Sequence, residues 1–110
     1  MLDVVFYRDG RNRLSSVFAR GHAEFAIDAD DLVCAAVSAI LQTARLGLEE
    51  YARIELETQQ RLGDFRIRWP EERRDDESVR AIVGSAELAV AQIARQYPEH
   101  VRCNTARETG

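Results

Sequence analysis

Cysteine is scarce in this chain of 110 residues: only Cys34 and Cys103 occur, with no CxxC spacing. That excludes a disulfide framework and gives no sign of a zinc site, and in a reducing compartment both residues stay as thiols. An excess of positive charge is lacking as well. Fifteen basic residues stand against nineteen acidic ones, for a net charge of −4 and a pI near 5.2, which argues against an electrostatic grip on nucleic acid or an anionic membrane. No apolar run approaches the roughly 20 residues that cross a bilayer. The opening MLDVVFYRDG lacks the layout of a signal peptide. Repeats, linkers and low-complexity segments are missing too. These absences predict a cytoplasmic protein that touches neither nucleic acid nor membrane directly and carries neither cofactor nor metal. A hydrophobic share of 45% suffices for a single modest core, so one domain over residues 1–103 is expected, with 104–110 a small, polar, frayed tail.

Hydrophobic periodicity places the elements. Leu2 to Tyr7 is rich in β-branched and aromatic residues, and Asp9-Gly10 marks a turn before a second strand from Arg13 to Gly21. The alternation of that strand is imperfect because Val17, Phe18 and Ala19 are consecutive and apolar, so either a bulge or a two-sided strand fits. From Asp31 to Gly47 the period changes: Val33, Val37, Ile40, Leu41, Ala44 and Leu48 recur at helical spacing, with Asp30 and Asp31 suited to cap the start. Ala52, Ile54, Leu56 and Thr58 then alternate with charged residues as a strand. After a turn over Gln59 to Gly63, Phe65, Ile67 and Trp69 form the returning strand, whose outward arginines can face the outward glutamates of its partner.

Pro70 stops that strand, and a second helix carries a stripe of Val79, Ile82, Val83, Ala86, Val90, Ile93 and Tyr97, closed by Pro98. A short strand from His100 to Cys103 is optional. The expected fold is α+β: a two-layer sandwich in which an antiparallel sheet built from two β-hairpins carries both helices on one face, in the order ββαββα.

His22 in this reading ends the second strand, and Cys34, twelve residues on, lies in the first turn of the first helix. Unsatisfied backbone N–H groups and the positive end of the helix dipole favour a thiolate there. An imidazole nearby can take the thiol proton and return it to a leaving amine. Helix-start N–H groups can also hold the oxyanion of a tetrahedral intermediate, with the loop from Ala23 to Asp30 as one wall of the cleft. Ser38 is one turn beyond Cys34 on the same face, and Asp31 either orients His22 or caps the helix. Plainer roles fit the same residues: a small core cysteine, a solvated histidine at a strand end, a serine bonded to its own helix. Spacing alone leaves the choice open. Cys103, in an edge strand or tail, is assigned no role.

A longer pattern surrounds the pair. Gly21-His22-Ala23, then Asp31-Leu32-Val33-Cys34-Ala35-Ala36-Val37-Ser38-Ala39, resembles the signature of the ribosomal-processing cysteine proteases, the Prp family. The likeness continues through Leu41-Gln42-Thr43-Ala44 and Gly47-Leu48-Glu49-Glu50 and returns at Gln96-Tyr97-Pro98 before Val101. It therefore covers nearly the whole chain.

The resemblance implies a small α+β domain that forms homodimers. It implies a cysteine endopeptidase with Cys34 as nucleophile and His22 as general base and acid, supported by Gly21, Asp31 and Ser38. Its substrate would be a large-subunit ribosomal protein made with a short N-terminal extension that ends in aromatic residues. Such a substrate requires an apolar pocket, and Phe25 and Ile27 are candidates to line it. The competing expectation is a dimeric module that binds a ribosomal or peptide partner without cutting it. One departure from the family pattern is Ala29, where related sequences usually carry glycine, two residues before the aspartate of the second box. It predicts a loop of altered shape or mobility. The dimer surface is expected on the second-helix stripe or at a sheet edge.

Overall fold

The structure, a computed structural model, describes residues 1–21, 29–61 and 63–108, with residues 29–31 described by their backbone alone. The expectations for His22, Phe25 and Ile27, and for the side chain of Asp31, lie outside the described residues.

Strand β1 (Leu2–Arg8) and strand β2 (Leu14–Arg20) form the first hairpin. The turn is built by Asp9, whose Oδ1 accepts the backbone N–H groups of Arg11 at 2.8 Å and Arg13 at 3.0 Å. Asn12 takes the left-handed conformation that closes the turn, at φ 63°, a region asparagine tolerates better than most residues. The register pairs Val4 with Ala19 and Phe6 with Val17, and all four are buried. Both readings of the apolar run are realised at different places. Phe18 faces away from the core and packs edge-on against Tyr7 at 5.0 Å between ring centroids. The bulge falls at Ser15, which the shift between Tyr7 and Arg8 leaves unmatched.

Helix α1 (Ala29–Leu46) starts two residues earlier than the periodicity predicts and continues into a π-helical turn, Gly47–Tyr51. Val33, Val37, Leu41, Ala44 and Leu48 are buried along its length. One helical stretch is long and apolar enough to span a bilayer by length and composition alone, although polar and charged residues interrupt it. Leu32–Tyr51 is 20 residues long and has a mean hydropathy of 1.4 over its most apolar 18-residue window, because its outward face carries Leu32, Ile40, Leu46 and several alanines. The core helix of a small sandwich meets the same criterion.

The strand expected from Ala52 to Thr58 begins only at Glu57. Arg53 is left-handed at φ 57°, and the Ile54 N–H donates to the Leu48 carbonyl at 3.0 Å. The alternation of Ala52 and Ile54 thus seats them in the core beside the helix end, with no strand partner. Strands β3 (Glu57–Arg61) and β4 (Asp64–Arg68) form the second hairpin, and Gln59, Gln60 and Arg61, expected in its turn, belong to β3. Arg68 meets Glu57 across the pair at 3.7 Å. Trp69 follows, buried, with its indole N–H donating to the Leu14 carbonyl at 2.8 Å. Helix α2 (Glu77–Gln96) buries Val79, Val83, Ala86 and Val90, while Tyr97 at the end of the predicted stripe is exposed.

The C-terminal segment differs most from expectation. Val101–Arg107 is a full strand, β5, running parallel to β1 from Leu2↔Val101 to Arg8↔Arg107. A frayed tail from residue 104 is therefore corrected: Glu108 still donates its N–H to the Arg8 carbonyl at 2.8 Å. The sheet is mixed, in the order β3-β4-β2-β1-β5. The physical reason is the crossover. The 20 residues of α2 return the chain about 30 Å along the sheet, so β5 must run in the direction of β4, and that is also the direction of β1.

The helix-free side of the sheet is self-compensating. The strand register sets Arg102, Asp3, Arg20, Asp64 and Arg61 in one row across the five strands, so the charges alternate in sign. In the next row Arg66 lies over the Phe18 ring at 4.8 Å.

Candidate active site

A cavity of about 170 Å³ opens between α1 and the adjoining ends of β2, β3 and β4. Its floor is apolar, made by Leu2, Ala19, Val37, Leu41 and Phe65. Its rim is polar: Cys34, Ser38 and Gln42 come from α1, Gln60 and Arg61 from β3, and Asp64 from β4. Cys34 and Ser38 are thus brought together on one wall, as their separation of four residues on a helix requires. Gly21, bonded directly to His22, bounds the same cavity.

Helix α1 begins at Ala29, so Cys34 is its sixth residue and stands in the second turn. This corrects the first-turn expectation. The unsatisfied N–H groups of an α-helix are those of its first four residues, here 29–32. Helical side chains lean toward the N-terminus and cover the turn before their own Cα. The Cys34 thiol therefore remains directed over the turn that carries those donors, although its own N–H lies beyond them.

Two glycines fix the far rim. The Gly21 N–H donates to the Gly63 carbonyl at 3.1 Å. A Cβ on Gly21 would stand 2.5 Å from the Met1 carbonyl oxygen and 2.7 Å from the Leu2 Cα, so the end of β2 can lie against the start of β1 only without a side chain. Gly63 has φ +79°, a conformation glycine adopts at no steric cost.

Cys103 sits elsewhere. It is half-buried against the core on β5, and burial, reinforced by the charge of Glu87, pushes its thiol above the ordinary value. That environment disfavours the thiolate. Cys34 and Cys103 are both present as thiols. Among the described residues no three His, Cys, Asp or Glu side chains gather as metal ligands.

A second apolar depression, about 640 Å³, lies between the outward faces of α1 and α2 and is lined by Ile40, Gly47, Tyr51, Ala81, Ile82 and Ala89 among others. It is larger than the Cys34 cavity, and its polar side chains are the hydroxyls of Thr43, Tyr51, Ser78 and Ser85, with no thiol among them. The thiol that the sequence singles out, Cys34, lies at the smaller site. Sequence reasoning missed Gln60, Gly63, Asp64 and Phe65 as site residues, because the β3–β4 hairpin contributes them from a distant part of the chain. Gln42 lay within the matched pattern but was given no role.

The sequence pattern that defines the cysteine protease Prp family matches residues 1–102. No curated protein matches the chain by sequence. Among solved structures, SMU.848 from Streptococcus mutans is 27% identical, with a TM-score of 0.84 over 98% of this chain and 96% of that one. The essential ribosomal processing protease Prp from S. aureus, solved with a substrate peptide, is 21% identical with a TM-score of 0.84, covering 96% of this chain and 99% of its own. The same protease with a covalently linked product peptide gives a TM-score of 0.82 at 21% identity and the same coverage. The likeness to the S. aureus structures is one of fold.

Proposed function

Because the chain belongs to the cysteine protease Prp family, we propose that it is an endopeptidase of ribosomal processing, which removes the short N-terminal extension of a large-subunit ribosomal protein in the cytoplasm. Cys34 is the nucleophile and His22 the general base and acid. The observation that carries this reading is the shared cavity: the Cys34 thiol borders an apolar floor large enough for one aromatic ring. A cavity of about 150 Å³ is known to hold benzene, and this one is about 170 Å³. Phe65 and Leu41 supply apolar lining, to which the expected Phe25 and Ile27 would add.

In the proposed reaction His22 takes the Cys34 proton, and the thiolate sulfur attacks the scissile carbonyl carbon. Backbone N–H groups of residues 29–32 stabilise the oxyanion, a contribution of about 3 kcal/mol per donor in other acyl-transfer enzymes. Collapse of the intermediate breaks the C–N bond, and the imidazolium gives its proton to the departing amine. Water, deprotonated by the same imidazole, then hydrolyses the thioester, which releases the new carboxylate and restores the thiol. Ser38 on the rim is available to hold a substrate carbonyl, and Asp31 to orient His22.

We place the homodimer contact on the apolar depression between α1 and α2, consistent with Leu46, Tyr51 and Leu88 being exposed beside it. Sedimentation of Ala81→Glu beside the unaltered chain checks this: a dimer that the charge converts to monomer is expected.

The activity is tested by mass spectrometry of the extended ribosomal protein, or of a peptide spanning its junction, after incubation with the unaltered chain, Cys34→Ala and His22→Ala. A single cut after the aromatic residues, lost in both variants, is expected. Cutting by Cys34→Ala at the unaltered rate would end the proposal. Binding without any cut would favour the non-catalytic module instead.

A further inference from the structure

Two carboxamides face one another across the mouth of the Cys34 cavity. Gln42 Nε2 on α1 donates to Gln60 Oε1 on β3 at 2.8 Å. Gln42 Oε1 in turn accepts from Arg45 Nε at 2.8 Å, and Arg45 is tied to Glu49 at 2.5 Å. A guanidinium carries donors and no acceptor, so Arg45 holds the Gln42 carbonyl toward itself and turns the Gln42 amide group across the opening. Gln60 therefore gives its carbonyl to Gln42, and among the described residues no acceptor takes the two N–H donors of its own amide.

Those donors stand where a peptide must lose water. A side chain that enters the apolar floor draws its own main chain over the rim, and each carbonyl desolvated there needs a replacement donor. A neutral carboxamide supplies one without selecting for substrate charge. It can do so reproducibly only if its orientation is fixed beforehand, which the Glu49–Arg45–Gln42 chain provides. Resting on the function proposed above, we infer that Gln60 is a substrate-binding residue that donates to a main-chain carbonyl of the peptide, and that Gln42 is a positioning residue acting through it.

Glutamate at position 60 separates binding from structure, since a carboxylate still accepts from Gln42 but offers the substrate no donor. The measurement is fluorescence anisotropy of a labelled peptide spanning the extension junction, bound to the Cys34→Ala protein so that it stays uncut. Cleavage by the matching variants with Cys34 intact is followed in parallel. Gln60→Glu is expected to weaken binding roughly 2- to 10-fold, the range of one hydrogen bond, with an unchanged melting temperature. Gln42→Leu should weaken it less, and the double variant should bind no worse than Gln60→Glu alone. If the unaltered chain cuts the peptide and Gln60→Glu binds it as tightly as its parent, the carboxamide role is overturned while the protease stands. Weakened binding by Gln60→Glu without any cutting by the unaltered chain would uphold the role and sink the protease. Absence of binding altogether would overturn both.

Discussion

Gly21 and Gly63 hold each other at the rim of the Cys34 cavity: the Gly21 N–H donates to the Gly63 carbonyl at 3.1 Å, and a Cβ on Gly63 would lie 2.9 Å from the Gly21 carbonyl oxygen. Gly63 leaves room for the Gly21 carbonyl, and Gly21 leaves room for the start of β1. Alanine at position 21 would press on the backbone of residues 1 and 2, which cannot swing aside as a flexible side chain can. Gly21→Ala is therefore expected to destabilise the fold by about 2 kcal/mol, within the range for overpacking, and to depress activity further because residue 21 precedes His22. Gly63→Ala combines a left-handed alanine, at about 1–2 kcal/mol, with its own close contact. Denaturant midpoints set beside cleavage rates check both variants; full stability in either would show that the rim gives more readily than its backbone contacts imply.

A buried ion pair anchors the opposite end of the sheet and sets the acid limit of the protein. Asp9 and Arg74 meet at 3.0 Å, both almost fully buried, and Arg74 also donates twice to the Trp69 carbonyl. Burial opposes ionisation of Asp9, but hydrogen bonds from the Arg13 and Arg11 backbones and from the side chains of Arg74 and Arg13 outweigh it and hold the carboxyl well below its usual value of 3.8. A depressed folded-state pKa contributes stability that is present above the unfolded value and is lost as pH falls below it. Glu108 acts in the same sense, lowered by Arg68 and Ser15 against the cost of its burial. Stability should accordingly fall with acid below about pH 4. Asp9→Asn should cost about 3 kcal/mol at neutral pH, because it leaves Arg74 buried and uncompensated, and should flatten the acid dependence. Urea midpoints between pH 7 and pH 3 test this, and an unaltered acid slope in the variant would count against Asp9.

Local signals and distant ones were not equally legible. The first hairpin, both helices and the α+β class follow from Asp9-Gly10, from the helical spacing of Val33 to Leu48 and from the stripe of Val79 to Val90. The full length of strand β5, beyond the optional strand ending at Cys103, was hidden because VRCNTAR is mostly polar. Its order comes from hydrogen bonding to β1, a neighbour nearly a hundred residues earlier, and an edge strand can remain polar on its outer side. The alternation from Ala52 to Thr58 misled because burial beside a helix end and burial in a sheet leave the same trace. At the site, the α1 wall was legible through Cys34 and Ser38. The hairpin wall was not, since nothing near Gln60 or Phe65 in sequence refers to Cys34.

Ala29 links sequence to site most directly. Alanine is the best helix former and glycine among the poorest, with a difference near 1 kcal/mol. The helix propensity of alanine at position 29 favours a start two residues before the predicted Asp31, which puts Cys34 in the second turn. Ala29→Gly should loosen the first turn, speeding amide exchange at residues 32 and 33 roughly fivefold while the exchange of α2 stays unchanged. If the turn that carries the oxyanion donors needs rigidity, cleavage should slow in parallel. If it needs freedom to close on the peptide, glycine should raise the rate instead. Hydrogen exchange measured alongside cleavage decides between these, and unchanged exchange in the variant would mean that residue 29 does not set the start of the helix.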